Sequence, residues 1–187
     1  MYRILLVDDE ANMLSALRRV MMSIPPEELD GARPEVETYT SAEEALRRIR
    51  TMPVDLVISD YRMPEMSGVD FLTQAIEAQP DIARLILSAY ADLNAVMNAI
   101  NKVQVFRFIS KPWHEVELKA AVTQALSIRA LLIDNRRLAD TVRQQRGRLS
   151  KQEAALRWLE AESPGITQLK LAEDGGILLD DEDGDFQ

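Results

Sequence analysis

Val54-Asp55-Leu56-Val57-Ile58-Ser59-Asp60 is the stretch whose reading decides the fold. It is a short, nearly continuous apolar run, the pattern of a strand buried on both faces of a parallel sheet, and it ends on a carboxylate. Tyr61-Arg62-Met63-Pro64-Glu65-Met66-Ser67-Gly68 follows, a loop rich in turn residues. Asp60 therefore stands at the carboxyl end of a strand, where open α/β sheets bind ligands and do chemistry.

The same grammar repeats on either side. Upstream, residues 4–7 form an apolar strand running into Asp8-Asp9-Glu10, and Met13, Leu14, Leu17, Val20 and Met21 then recur at helical spacing. Residues 23–34, with Pro25, Pro26 and Gly31, read as a loop. Residues 36–39 read as a second strand, and Ser41-Ala42-Glu43-Glu44 as a capping box opening a helix to about Ile49. Downstream, residues 69–78 are helical and Pro80 stops them; residues 84–88 form a fourth strand. Asp92 caps a helix through Ile100, and a fifth strand over 106–110 ends at Lys111-Pro112. Strand and helix alternate five times, which predicts an α/β domain over residues 1–126 with a five-stranded parallel sheet and helices on both faces.

The last helix, starting near Glu115, meets no firm stop until Pro164-Gly165, so it runs for roughly 45 residues. Read in sevens, Ile128, Asn135, Val142, Leu149 and Leu156 take position a, and Leu131, Leu138, Gln145, Gln152 and Leu159 take position d. This is a coiled-coil seam over 127–162, and Asn135 at an a position favours a parallel pair in fixed register. Arg148 at g and Glu153 at the next e would pair across such a homodimer. The competing reading is one long amphipathic helix folding back on its own globular part. Gly147 falls at the outer f position, where it weakens the helix by ~1 kcal/mol relative to Ala without breaking it.

The composition narrows the function classes. With 187 residues, 47% hydrophobic and 28% charged, the chain reads as one globular domain plus an extension. It has no cysteine and one histidine, His114, which excludes thiolate metal sites and makes a histidine-dependent triad or His-rich site a poor reading. No apolar run approaches the ~18 residues of a membrane span, and the run after Met1 is too short for a signal peptide, so a cytoplasmic protein is expected. Of the net charge of −9, residues 163–187 carry −6, with seven acids against Lys170.

Four strands deliver polar residues to one sheet edge: Asp8 and Asp9, Asp60, Ser88, and Lys111. Carboxylates converging on a small volume repel each other without a cation, and oxygen donors lacking His or Cys point to magnesium. A carboxylate that accepts a phosphoryl group becomes an acyl phosphate whose oxygens a metal and an ammonium neutralise while a hydroxyl donates to them. Asp60 is placed to be that nucleophile. Singly, each residue has an ordinary role: Asp8 and Asp9 as helix caps, Ser88 as a turn residue, Lys111 as a solvated charge and Phe108 as a core aromatic.

Taken together, Val7-Asp8-Asp9-Glu10, Asp60 through Gly68, Ser88-Ala89 and Phe108-Ile109-Ser110-Lys111-Pro112 resemble the receiver domain of two-component response regulators, over about residues 1–126. The resemblance implies a flavodoxin-like fold with Asp60 as phosphoacceptor. It implies Asp8, Asp9, Asp60 and the Met63 carbonyl as magnesium ligands, Lys111 as the phosphate-binding cation, and Ser88 and Phe108 as the switch pair. A cis Lys111–Pro112 bond is implied too, as is a sensor histidine kinase or phosphotransfer protein as donor. Arg62 and Tyr90, two residues beyond the acceptor and the switch hydroxyl, would flank the acyl phosphate and slow its hydrolysis. No turnover of an external substrate is expected. A haloacid-dehalogenase-like phosphatase is disfavoured, because Asp8-Asp9 lacks the one-residue spacing between its two aspartates.

The output is less determined. Phosphorylation is expected to shift the packing of the helix from Asp92, the strand ending at Lys111 and the last helix, and so to alter the coil. Residues 163–187 hold a short hairpin pattern around Asp174-Gly175-Gly176 and an acidic run over 180–185, too little for a DNA-binding or enzymatic domain. Two functions stay open: a dimeric signalling module whose coil or tail engages another protein, and a nucleic-acid-binding regulator. The second would use Arg129, Arg136, Arg137, Arg143, Arg146, Arg148 and Lys151, which face only Asp134 and Asp140 in that span. The acidic tail would compete with phosphates for those arginines, so nucleic acid is the less favoured partner.

Overall fold

The computed structural model describes residues 1–89 and 105–162, with Glu160 described by its backbone alone. Five strands, β1 (Tyr2–Val7), β2 (Pro34–Tyr39), β3 (Leu56–Asp60), β4 (Ala83–Ala89) and β5 (Arg107–Lys111), form one sheet in the order β2-β1-β3-β4-β5. Every neighbouring pair is parallel. That order, with its reversal between β1 and β3, is the flavodoxin-like one. The helices are α1 (Ala11–Met22), α2 (Ala42–Thr51), α3 (Gly68–Ala78) and α4 (Glu115–Glu162). The helix expected over 92–100, Tyr90, and the hairpin expected within 163–187 lie outside the described residues.

Strand alternation divides the core in two. Ile4, Leu6, Leu56, Ile58, Leu85, Leu87 and Ile109 point to one face, covered by α1 and the first turns of α4; Leu5, Val7, Val57 and Ile86 point to the other, covered by α2 and α3. β3 is buried at all five positions, as a central parallel strand requires. The loop before β2 holds a short 3-10 turn, Pro26–Leu29, whose Leu29 inserts into the first core, and that explains a connection longer than the crossover needs.

The caps follow sequence chemistry only in part. Ser67 Oγ accepts the Asp70 amide at 3.2 Å and opens α3, whereas Ser41 Oγ reaches the Glu44 amide only at 3.5 Å. At α1 the capping residue is Glu10 and makes no side-chain cap bond; the Asp8 carboxylate accepts the Glu10 amide at 2.9 Å instead.

The chain divides into two compact units, Met1–Asn135 and Arg136–Gln187, and α4, 48 residues long, contributes to both. Within the first unit, α4 buries Leu118, Ala121, Val122, Ala125 and Leu126 against the sheet, and Arg129 and Ile133 continue that stripe half-buried. Every described side chain from 134 to 162 is exposed. Ile128 and Leu131, 43% and 61% exposed, sit two positions on from Leu126 and Arg129. At ~100° per residue Leu131 falls on the far side of the helix from the stripe that faces the sheet, while Ile128, one heptad after the buried Ala121, falls at the edge of that stripe.

Candidate functional site

Register and alternation build the site. Val7 lies beside Ser59, so Asp8 and Asp60 leave adjacent strands at the same level; Ser88 pairs with Ser110 and Ala89 with Lys111. Asp8, Asp60 and Lys111 share strand parity with Leu6, Ile58 and Ile109, so all three side chains leave the sheet on the α1 face. Ser88 and Phe108 share parity with Ile86 and leave on the other face, where Phe108 packs half-buried on the second core.

Lys111 Nζ stands 2.7 Å from Asp8 Oδ2 and 2.5 Å from Asp60 Oδ1. All three groups are nearly closed to solvent, with side-chain exposures of 14% for Lys111, 1% for Asp8 and 9% for Asp60. Burial pushes the Asp60 carboxyl above its ordinary range; the Lys111 hydrogen bond and charge pull it back, and the neighbouring Asp8 charge raises it again. For Lys111, burial acts downward, but hydrogen bonds and charges from both aspartates outweigh it and hold the ammonium above its usual value. One cation shared by two buried anions accounts for both directions. The second Asp60 oxygen, Oδ2, accepts the Arg62 amide at 3.0 Å.

Asp9, expected beside Asp8, is exposed on the strand-end turn, and the Met63 side chain packs on the second core. Ser88, 1% exposed, donates to the Ala89 carbonyl at 3.3 Å. The Lys111–Pro112 bond is cis. Asp8, Asp60 and Lys111 are thus brought into contact, while Ser88 and Phe108 line the neighbouring face of the same sheet edge.

The donor set suits a hard divalent cation. Asp8 and Asp60 are oxygen donors that together exceed the one ammonium by a full negative charge. Among the described residues no three His, Cys, Asp or Glu side chains gather into a cage. Magnesium is characteristically bound by one or two carboxylates, waters and phosphate oxygens, so two aspartates are a sufficient protein share.

One contributor carries no side-chain signal. Gly68 packs against the Asp60 backbone: its amide donates to the Tyr61 carbonyl at 2.9 Å, and a Cβ there would lie 2.0 Å from the Asp60 carbonyl oxygen. A glycine eight positions after Asp60 was visible in the sequence, but nothing local tells a close approach from a turn.

The family model of the response regulator receiver domain matches residues 4–123. The chain belongs to that family. Among curated relatives, the receiver is 35% identical over 135 residues to the hydrogenase transcriptional regulatory protein HoxA of Cupriavidus necator, covering 72% of this chain and 26% of HoxA. It spans about a quarter of the length of such relatives. Among solved structures, a response regulator receiver domain protein from Clostridium thermocellum matches with a TM-score of 0.60 and 30% identity, over 71% of this chain and 99% of that one. The beryllofluoride-activated NtrC4 receiver domain dimer matches with a TM-score of 0.58 and 25% identity, over 69% and 99%. Among the described residues, no helix of the receiver is long and apolar enough to cross a membrane.

Proposed function

We propose that this receiver takes a phosphoryl group onto Asp60 from a sensor histidine kinase or phosphotransfer protein and passes the resulting change along α4 to a dimeric coiled coil that engages a protein partner. The observation that carries the reading is the Lys111 ammonium held between Asp8 and Asp60. An Asp60 oxygen attacks phosphorus, the new P–O bond forms as the donor's P–N bond breaks, and the departing imidazole keeps the nitrogen electron pair. Lys111 already stands at Asp60 Oδ1, beside the point where the phosphoryl oxygens and their negative charge would arrive, and the Arg62 amide holds Oδ2. Asp8, Asp9, Asp60 and the Met63 carbonyl would hold magnesium, which when bound neutralises phosphoryl oxygens. Ser88 and Phe108 form the switch that reads the new group. Apart from its own phosphorylation and dephosphorylation, the domain turns over no substrate, and it works in the cytoplasm.

The seam supports the dimer. Ile128, Leu131, Leu138, Val142, Leu149, Leu156 and Leu159 are all 39% or more exposed in the single chain. Pairing two such seams removes that surface from water. The test is treatment of the full chain with acetyl phosphate and magnesium, read by intact mass and by light scattering, with Asp60→Asn as control. The expected result is one phosphoryl mass gained only with Asp60 present, on a dimer; no Asp60-dependent gain overturns the mechanism, and a monomer in both states overturns the coil.

A nucleic-acid reading rests on the exposed basic residues of α4 and on the printed names of relatives such as HoxA, a transcriptional regulator. Arg129 is withdrawn from that surface by its pairing with Asp55. Salt-dependent retention of DNA or RNA at low ionic strength would favour this reading, and its absence removes it.

A further inference from the structure

At the sheet edge opposite Asp60, Arg129 of α4 holds the beginnings of two strands. Its guanidinium Nη1 stands 2.6 Å from Asp55 Oδ1, and its Nε donates to the Asp81 backbone carbonyl at 2.7 Å. The pair is shielded, with side-chain exposures of 17% and 21%. Asp55 is itself fixed in the sheet: its Oδ2 accepts the Arg3 amide at 2.7 Å, its amide donates to the Arg3 carbonyl at 2.9 Å, and its carbonyl accepts the Ala83 amide at 3.0 Å.

The strands so gripped are β3 and β4, whose far ends carry Asp60 and Ser88. Asp60 lies five residue steps along the strand from Asp55, about 17 Å at strand rise. Arg129 is also the first residue of the sheet-facing stripe of α4 beyond the buried pair Ala125 and Leu126; of the seam, Ile128 lies at the edge of that stripe and Leu131 on the far side of the helix. A charged, bidentate contact at that point fixes the rotation of the helix about its axis more sharply than apolar packing does, because guanidinium hydrogen bonds are directional.

We infer that Arg129 is the coupling residue between the phosphorylated sheet and the output helix, holding the seam at a set angle to β3 and β4. This rests on the phosphoacceptor reading above. Arg129 takes no part in the chemistry at Asp60; it determines whether a displacement at the far ends of β3 and β4 reaches residues 127–135. Loss of the guanidinium leaves Asp60 reactive and disconnects the helix from it.

The test is hydrogen exchange of the full chain, with and without acetyl phosphate and magnesium, alongside intact mass. In the wild type, exchange over residues 127–135 is expected to change upon Asp60-dependent phosphorylation. Arg129→Met should take up phosphoryl groups within twofold of the wild-type rate, exchange faster over 127–135 in both states, and lose at least four-fifths of the phosphorylation-dependent change. Arg129→Lys, which keeps the charge but not the fork, should restore part of it. Asp55→Asn, checked for folding by circular dichroism, should behave like Arg129→Met. A wild-type chain that gains no phosphoryl mass overturns the underlying function. A chain that is phosphorylated, and whose Arg129→Met variant responds in full, overturns the coupling role alone.

Discussion

Gly68 lies against Asp60 so closely that a methyl group on it would sit 2.0 Å from the Asp60 carbonyl oxygen, 3.0 Å from its carbonyl carbon and 3.0 Å from Ser59 Oγ. Two of these are backbone atoms of a buried central strand and cannot move aside cheaply. Gly68→Ala is therefore expected to destabilise the receiver by about 1–3 kcal/mol. It should also slow phosphoryl uptake on Asp60 by at least tenfold, since the strand end carrying the nucleophile has to shift. Urea unfolding and a mass time course with acetyl phosphate check the two effects separately.

This contact also marks the limit of what could be read from the chain. The strand ends were legible because short continuous apolar runs, each stopped by polar or turn residues, mark where a buried parallel strand finishes and so bring Asp8, Asp60 and Lys111 to one edge. That Lys111 belongs with these aspartates was legible from charge at one edge; that it bridges Asp8 and Asp60 directly was not. The path of the loop from Tyr61 to Ser67 was not legible: Glu65 adopts a φ of 66°, which its residue type does not announce. Nor could the pairing of Arg129 with Asp55 be anticipated, because the residues are far apart in sequence and its charge grouped Arg129 with the other basic residues of the coil.

Gln79 ties three segments together. Its side-chain amide nitrogen donates to the Ile49 carbonyl and, at 2.7 Å, to the Met52 carbonyl at the end of α2, and its oxygen accepts the Val54 amide at 3.0 Å. Val54 is fully buried, so Gln79→Leu strands an amide that water cannot reach. The expected loss is about 2–4 kcal/mol, from unsatisfied backbone groups rather than from lost volume. Denaturant melts should show it, while Gln79→Glu, which keeps the acceptor and loses the donors, should fall between.

The pH response of the β2 edge has a definite sign. Arg48 binds both oxygens of Glu37, at 2.8 and 2.7 Å, and Tyr39 donates its phenol to Glu37 at 2.6 Å. The Arg48 hydrogen bonds hold Glu37 below its ordinary value of 4.5. A depressed carboxyl contributes stability above pH 4.5 that is lost as pH falls through the folded value. Tyr39 is raised from 10.0 to about 12, by burial first and the Glu37 hydrogen bond second. Its contribution is intact below pH 10.0 and is lost as pH rises through about 12. Wild type should therefore exceed Glu37→Gln in urea midpoint at pH 7, and the gap should close in acid. Absorbance titration of the phenols should find one that ionises late in the wild type and earlier in Glu37→Gln.

With Asp60 phosphorylated as proposed, Arg62 is expected to bear on how long the phosphoryl group stays. Its amide is fixed on Asp60 Oδ2 and its side chain is exposed just beyond the nucleophile, where water must approach an acyl phosphate in line. Arg62→Ala is expected to shorten the phosphoform's half-life several-fold without changing the rate of uptake. The check is decay of the phosphorylated mass after the phosphodonor is removed.

Asn135 sets the register of the coil if the seam is used as proposed. It occupies an a position between Leu131 and Leu138, both more than 60% exposed in the single chain. An asparagine facing its counterpart across a parallel pair satisfies its amide only in the aligned two-stranded arrangement; in other registers it is buried against leucine without a partner. Asn135→Ile should therefore raise the thermal midpoint of the α4 extension while loosening its specificity, giving trimers or mixed species where the wild type gives dimers. Phosphorylation of Asp60 should be unaffected, since Asn135 is exposed and lies beyond the buried stripe of α4. Sedimentation equilibrium across a concentration series decides the matter: a variant that remains strictly dimeric, with no gain in midpoint, would show that Asn135 does not lie in the pairing seam.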